Sequence, residues 1–449
     1  MADTFLSWKN VSVTFPSFEG QAKTLPISIP DGEVFENEFL WIDGPSGVGK
    51  STLLHLLKGI IPRYLFAEVQ GEFLYKRNDI LKLFPDELDK KCVYVFQNPY
   101  SQIVTPRAKE EIVFSMENYS FSRDKIKEES KKWTTIFELE NLLEQKTSTL
   151  SGGQCQRLVL ASSLACSPEI ILFDEPTAFL DSGGQKDFYE LLGKLKGHFT
   201  IIVIDHHAPE LIHLCDKKIN WPFQKEKELK KFSDLDFSSS KNAELNIHSL
   251  SFSYAEKSIF KDLDLNFQGS KIISIVGKNG TGKSTFFKML TGELKPDFGE
   301  IDFLVDNEAV PFKKWAELIS IVYQNSEAQF FFDTVYAELC FNVQDPAFVL
   351  ELAKILGLED TFDRSPYLLS EGQKRRLSIL IAIAQGRPLL LHDEPTYGQD
   401  AVNIDLLTEM FLKLKKAGRL QLIITHDLSW ARKISDEVFI LEDQKMVPL

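Results

Sequence analysis

The chain has 449 residues, 43% apolar and 26% charged, which is the makeup of a globular protein with room for two or more domains. Its net charge of −14 argues weakly against a broad nucleic-acid surface, which would want a basic stripe. Cys92, Cys155, Cys166, Cys215 and Cys340 form no C-x-x-C pair, so they suggest no zinc, cluster or disulfide framework and read mostly as small buried hydrophobes in a reducing setting.

The start, MADTFLSWKN, lacks the apolar run of a signal peptide, and no stretch approaches the roughly 20 apolar residues that span a bilayer. Any membrane part is therefore expected on another chain. Phe is frequent, at 35 residues, so aromatic packing should be prominent.

In chain order, the elements come twice. The β-rich run EFLWID feeds GPSGVGKST, which begins at Gly44 and opens a helix. YVFQNPYSQ follows, with Gln97, and residues about 107–147 carry helical periodicity up to LSGGQ, which begins at Leu150. The strand-like ILFDEPT ends at Thr177 and IIVIDH ends at His206. A charged, then Ser-rich stretch, KEKELKKFSDLDFSSSKN, has no sustained apolar period and reads as an exposed linker. The series then repeats: KIISIV, GKNGTGKST from Gly277, IVYQNSEAQ with Gln324, helical periodicity over about 333–366, LSEGQ from Leu369, LLHDEPT ending at Thr396 and LIITH ending at His426. Five motifs in one order at nearly one spacing mean a duplicated domain. The expected boundaries are 1–222, a linker over 223–243, and 244–449. Apolar strands ending in acids suit a parallel sheet covered on both faces, so the fold class is α/β.

G-x-x-x-x-G-K-S/T after a strand and before a helix is a phosphate-binding loop. Its glycines turn backbone N–H groups inward and the helix N-terminus adds a favourable field. The first loop comprises Gly44, Pro45, Ser46, Gly47, Val48, Gly49, Lys50, Ser51 and Thr52; the second Gly277, Lys278, Asn279, Gly280, Thr281, Gly282, Lys283, Ser284 and Thr285. Lys50 and Lys283 should reach the β- and γ-phosphates of ATP, with Ser51 and Ser284 on Mg²⁺. Asp174 and Asp393 end apolar strands, where an acid needs a reason, and should hold Mg²⁺ through water. Glu175 and Glu394 should polarise or deprotonate the attacking water. Ser151, Gly152, Gly153 and Gln154, like Ser370, Glu371, Gly372 and Gln373, open helices and make further anion sites.

On these motifs the chain resembles the ABC ATPase family over nearly its whole length apart from the linker. The resemblance implies two tandem P-loop NTPase cassettes, each a RecA-like parallel-sheet core with a helical subdomain, facing each other head to tail. It implies one composite site joining Lys50, Ser51, Glu175 and His206 with Ser370 to Gln373. A second would join Lys283, Ser284, Glu394 and His426 with Ser151 to Gln154. By the same resemblance Phe15 and Tyr254 stack on adenine, Gln97 and Gln324 touch Mg²⁺ and sense the γ-phosphate, and His206 and His426 are switch histidines. His207 and His392 read instead as satisfied polar groups.

Two features depart from the family pattern. Glu371 replaces a signature glycine, and a charge facing the γ-phosphate from about 6 Å would cost roughly 3 kcal/mol, whereas one pointing outward would cost little. The first site is therefore expected to be the less active. The second D-loop reads YGQD, ending at Asp400, while the first, AFLD, ending at Asp181, stays closer to S-A-L-D.

The text after each glutamine motif, QNPYSQIVTPRAKEEIVFSMEN and QNSEAQFFFDTVYAELCF, resembles the energy-coupling-factor (ECF) micronutrient importers, as do QKRRLSI and DEPTYGQD. That resemblance implies a transmembrane coupling subunit docking beside each glutamine loop and a small membrane substrate-binding subunit. The chain itself would lie peripherally on the inner, cytoplasmic face of the membrane. Phe330, Phe331 and Phe332 either line such a groove or belong to the core. A tandem ABC ATPase acting on ribosomes is the alternative, set against the short linker and the acidic charge; no nucleic-acid partner is expected.

Overall fold

The computed structural model describes the chain except residues 1–3, 17–25, 46, 84, 179, 181, 206–207, 222–231, 233–234, 236, 238–240, 255–256 and 279. The chain divides into two compact units, Met1–Lys225 and Glu226–Leu449.

In the first unit a parallel sheet runs Lys217–Asn220, Phe39–Asp43, Thr200–Ile204, Ile170–Asp174, Cys92–Val95. Side chains alternate across it, as the period of two requires. Phe39, Trp41, Ile171, Phe173, Ile201 and Val203 face one core, shared with the helices Ala108–Asn118 and Gly152–Leu164. Leu40, Ile42, Ile170, Leu172, Ile202 and Ile204 face another, shared with the helix Lys50–Leu57 and an antiparallel sheet built on Leu6–Thr14 and Glu68–Tyr75. Each fully buried large apolar side chain contributes roughly 1.5–3 kcal/mol, which is why both faces must be covered.

The second unit repeats this order: Ile319–Val322, Leu389–Asp393, Leu420–Ile424, Ile272–Val276 and Glu437–Glu442 are parallel, with Lys445–Pro448 added antiparallel at the edge. An antiparallel sheet built on Ala243–Tyr254, Lys257–Gln268 and Phe298–Val305 covers one face and the helices Glu371–Ala384 and Ala401–Lys416 the other. The helical stretches expected near 107–147 and 333–366 are the helices Ala108–Asn118 with Arg123–Ile136 and Val335–Cys340 with Pro346–Ile355. No helix among the described residues is long and apolar enough to cross a membrane.

The stretch read as a solvated linker is exposed at Lys241 and Asn242 but not at its aromatics. Phe232 is fully buried in the helical core of the second unit, and Phe237 packs edge-on to Phe348 at 5.2 Å. Isolated aromatics spaced by polar residues carry no periodicity, so the pattern hid them. His392, read as a satisfied polar group, is fully buried against Phe411 with no hydrogen-bond partner for either ring nitrogen among the described residues. Its strand position simply alternates into the core. Cys92, Cys155 and Cys166 are buried, as small hydrophobes should be.

Candidate active sites

Each glycine loop joins a central strand to a helix. Gly47 and Gly280 have φ of 81° and 79° with open space around an added Cβ, so only their backbone conformation requires glycine. Gly49 and Gly282 are left-handed too, and a Cβ there would lie 2.4 Å from Ile27 and Ile259. The loops curl tightly enough for Lys50 Nζ to donate to the carbonyls of Gly44 and Pro45 at 2.8 and 2.7 Å. Lys283 Nζ donates likewise to Gly277 and Lys278 at 2.7 and 2.9 Å. Both ammonium groups are thus curled back over the loop, buried and ready for an anion. Ser46 and Asn279 lie outside the described residues.

At the start of each helix, Ser51 Oγ donates to Asp174 at 3.1 Å and Ser284 Oγ to Asp393 at 2.9 Å. Burial, followed by the charge of the adjoining Glu175 or Glu394, pushes both aspartates up to about 6. A buried carboxylate raised in this way, beside a hydroxyl oxygen, is a good home for a hard cation that arrives with phosphates and keeps its waters. The donor chemistry fits Mg²⁺ in both units. In the first, Tyr94 also donates to Asp174, at 2.6 Å.

Glu175 and Glu394 sit at φ of 44° and 54°, a left-handed backbone that a non-glycine residue adopts at a cost. The same strain at the same place in both units aims each carboxylate off its strand. Backbone bonds from Glu175 to Ile204 and from Glu394 to Ile424 hold it there. Among the described contacts each carboxylate has a close side-chain partner. Glu175 accepts from the amide of Gln97 at 2.7 Å. Glu394 lies 2.9 Å from Nδ1 of His426, while Gln324 is exposed. Burial would lower the His426 imidazole, but the Glu394 charge outweighs it and the pKa is raised. His206 and His207 lie outside the described residues.

The two Leu-Ser-x-Gly-Gln motifs cap helices with a full capping box. Ser151 accepts from the Gln154 N–H and its own N–H donates to the Gln154 side chain; Ser370 and Gln373 do the same. A hydroxyl that accepts in this way keeps its proton to donate. Glu371 is partly offset by Lys374, which one turn on donates to it at 3.0 Å and is shared with Glu327. The odd YGQD turn has a reason as well. Gln399 donates to the carbonyl of Gly372 and accepts from Arg376 at 2.6 Å, where the first unit has Leu180 packed 3.7 Å from the Cβ position of Gly153. Asp181 lies outside the described residues, and Asp400 caps the next helix.

Phe15 is partly buried against the core beneath the first glycine loop, and Tyr254 is half-exposed, edge-on to Phe252. Val48, Thr52, Thr281 and Thr285 complete the loops without side-chain contacts to the acids. The three phenylalanines divide: Phe330 is core, Phe331 is 84% exposed, and Phe332 lies between, tilted on Phe341.

Two duplicated supports escaped the sequence reading. Gln102 and Gln329 each clip the glutamine loop, accepting from Phe96 or Tyr323 and donating to Tyr94 or Ile321. Glu111 and Glu338, both buried, collect backbone N–H groups of Val104 and Thr105, or of Phe331 and Phe332. Their signal was available: each recurs at the spacing of Gln97 and Gln324.

A strained acid beside a buried aspartate that accepts from a serine at the mouth of a glycine loop, built twice, is the machinery of a nucleotide-hydrolysing ATPase. The family model described as ABC transporter matches residues 29–178 and again 260–397, and the chain belongs to that family as a tandem ATP-binding protein, an ATPase that uses ATP and Mg²⁺. It is 30% identical to "Putative HMP/thiamine import ATP-binding protein YkoD" of Bacillus subtilis, across 92% of this chain and 86% of that one. It is 28% identical to a "Putative ABC transporter ATP-binding protein" of Methanosarcina mazei, across 98% and 93%. Among solved structures it is similar to a chain of "Model of ribosome-bound archaeal Pelota and ABCE1", with a TM-score of 0.64 and 20% identity over 98% of this chain and 78% of that one. At that identity the likeness concerns the fold alone.

Proposed function

We propose that this chain is the ATP-hydrolysing, energy-coupling subunit of an ECF-type importer, with cassettes at 1–222 and 244–449 joined by residues 223–243. Its partners are a transmembrane coupling subunit and a small membrane substrate-binding subunit, and it works on the cytoplasmic face of the membrane. The cargo class is a vitamin, a vitamin precursor or a metal ion. The observation that carries the reading is an exposed apolar residue at the same register beside each glutamine loop, Val104 at 67% exposure and Phe331 at 84%. Each is presented by backbone bonded to a buried glutamate, Glu111 or Glu338. Apolar side chains held out rigidly in this way favour a protein partner over water. Import is also what the printed name of the Bacillus subtilis relative describes.

In this reading the roles are divided as the motifs suggest. Lys50 and Lys283 straighten from their loop carbonyls onto the phosphates of ATP. Ser51 with Asp174, and Ser284 with Asp393, hold the metal, with Gln97 and Gln324 beside it; when bound, Mg²⁺ offsets the charge of the β- and γ-phosphates. Glu175 and Glu394 take the proton of the attacking water, and His206 and His426 hold their orientation. Ser151 to Gln154 and Ser370 to Gln373 offer a further helix-end anion site in each cassette. Binding of ATP and loss of phosphate shift the glutamine loop of each cassette.

Purification of the tagged chain in mild detergent from its host tests the assignment. Two small integral membrane proteins are the expected companions. Ribosomal subunits without a membrane protein would overturn the importer reading and leave the ATPase intact.

A further inference from the structure

The helix Glu371–Ala384 carries, just after its signature, a buried cation that the first unit lacks. Arg375 is 1% exposed. One guanidinium nitrogen donates to the carbonyls of Tyr323 at 2.6 Å and Asp393 at 3.3 Å, and the other donates to the carbonyl of Gln324. Tyr397 lies against the cation at 5.8 Å. Three backbone oxygens, from the glutamine loop and from the end of the acid strand, therefore converge on one planar fork. A guanidinium suits this task because its donors are fixed in one plane, and a buried cation is tolerable only with such partners. The neighbouring Lys374 adds a bond to Glu327, on the same loop.

The matching residues of the first unit are Cys155 and Gln156. The amide of Gln156 donates to the Pro176 carbonyl, and Cys155 lies against the carbonyls of Thr147 and Leu150. Among the described contacts, neither side chain reaches the carbonyls of the Gln97 loop.

We propose that Arg375 is a positioning residue of the second cassette, clamping the Gln324 loop, the end of the Asp393 strand and the helix of the second signature into one body. The inference rests on the ATPase reading above, in which Gln324 and Asp393 serve the metal of the second cassette; the clamp holds both against the signature helix of that same cassette. In the first cassette, among the described contacts, Gln156 reaches only the Pro176 carbonyl.

The test uses the full chain with R375Q, R375K and Q324A. Hydrogen exchange of the 323–329 amides reads the clamp without turnover. R375Q should speed it by about tenfold, with R375K between, because the three donors of an ammonium sit on one atom and cannot span the carbonyls that two guanidinium nitrogens reach. Unchanged protection overturns the proposal. In ATPase assays R375Q should lower kcat by about tenfold with KM for ATP within about twofold. Combining R375Q with Q324A should cost little more than the larger single effect. Multiplying effects, or a lower Tm with kcat per folded molecule unchanged, would reduce Arg375 to a structural residue. E394Q is the separate control: if it leaves turnover untouched, the site reading fails, and the exchange data still decide the clamp.

Discussion

In the second cassette the carboxylate of Glu394 lies 2.9 Å from Nδ1 of His426, whereas in the first the carboxylate of Glu175 accepts from the amide of Gln97. The acid of the second cassette is thus paired with a group that titrates, so stability there should respond to pH.

The His426 pKa is raised above 6.5 by Glu394 despite burial. The unfolded imidazole loses its proton first as pH climbs. Stabilisation by the pair is therefore whole below the unfolded value and is lost as pH rises through the raised folded value. Denaturant midpoints of wild type and H426Q should differ most below the unfolded imidazole value of about 6.5 and converge as pH rises through the raised folded value. A gap that widens with pH would refute the pairing.

Glu371 brings an extra negative charge to the signature assigned to the first site, partly answered by Lys374. E175Q should therefore lower steady-state ATPase less than E394Q does, and the reverse order would sink the idea. In an E394Q background, E371G should raise the residual rate, but by under about threefold, since a half-exposed pair is worth little.

His392 is held down to about 3, by burial first and the Arg375 charge second. Between its unfolded pKa and that value the unfolded chain takes up a proton that the folded chain refuses. Stability of the second cassette should fall by about 1.4 kcal/mol per pH unit on acidification through this window. H392F, which installs the residue matching Phe173, should flatten that slope in urea titrations. An unchanged slope would show that other groups set it.

The buried carboxylates Glu111 and Glu338 each serve two backbone N–H groups. E111A and E338A should each cost about 2–3 kcal/mol in chemical denaturation, because charged hydrogen bonds are lost and their donors stay buried. A cost below about 0.5 kcal/mol would mean that water replaces the carboxylate.

The repeat made most of the architecture legible. Apolar strands ending in Asp174 and Asp393, and glycine loops ending in Lys50 and Lys283, announce both the parallel sheets and what stands at their edges. The antiparallel sheet of each unit was not foreseen: in the first the partners of LSWKNVSVT are distant in sequence, and in the second Ala243–Tyr254 and Lys257–Gln268 are joined by Ala255-Glu256, which carries no Gly or Asn turn signal. Site residues were legible where chemistry demands a residue type at a fixed spacing. Gln102 and Glu111 were signalled only by their recurrence as Gln329 and Glu338, and Arg375, matched by Gln156, not even by that, because each meets backbone carbonyls or N–H groups brought near by folding.

Val104 and Phe331 occupy matching positions and differ in bulk by most of an aromatic ring. A partner that receives both would need a shallow socket at one place and a deep one at the other. It would thus be a lopsided object with a front and a back, and the fused chain would seat on it one way round. Exchanging the two knobs, V104F with F331V, would amount to asking a left hand to wear the right glove.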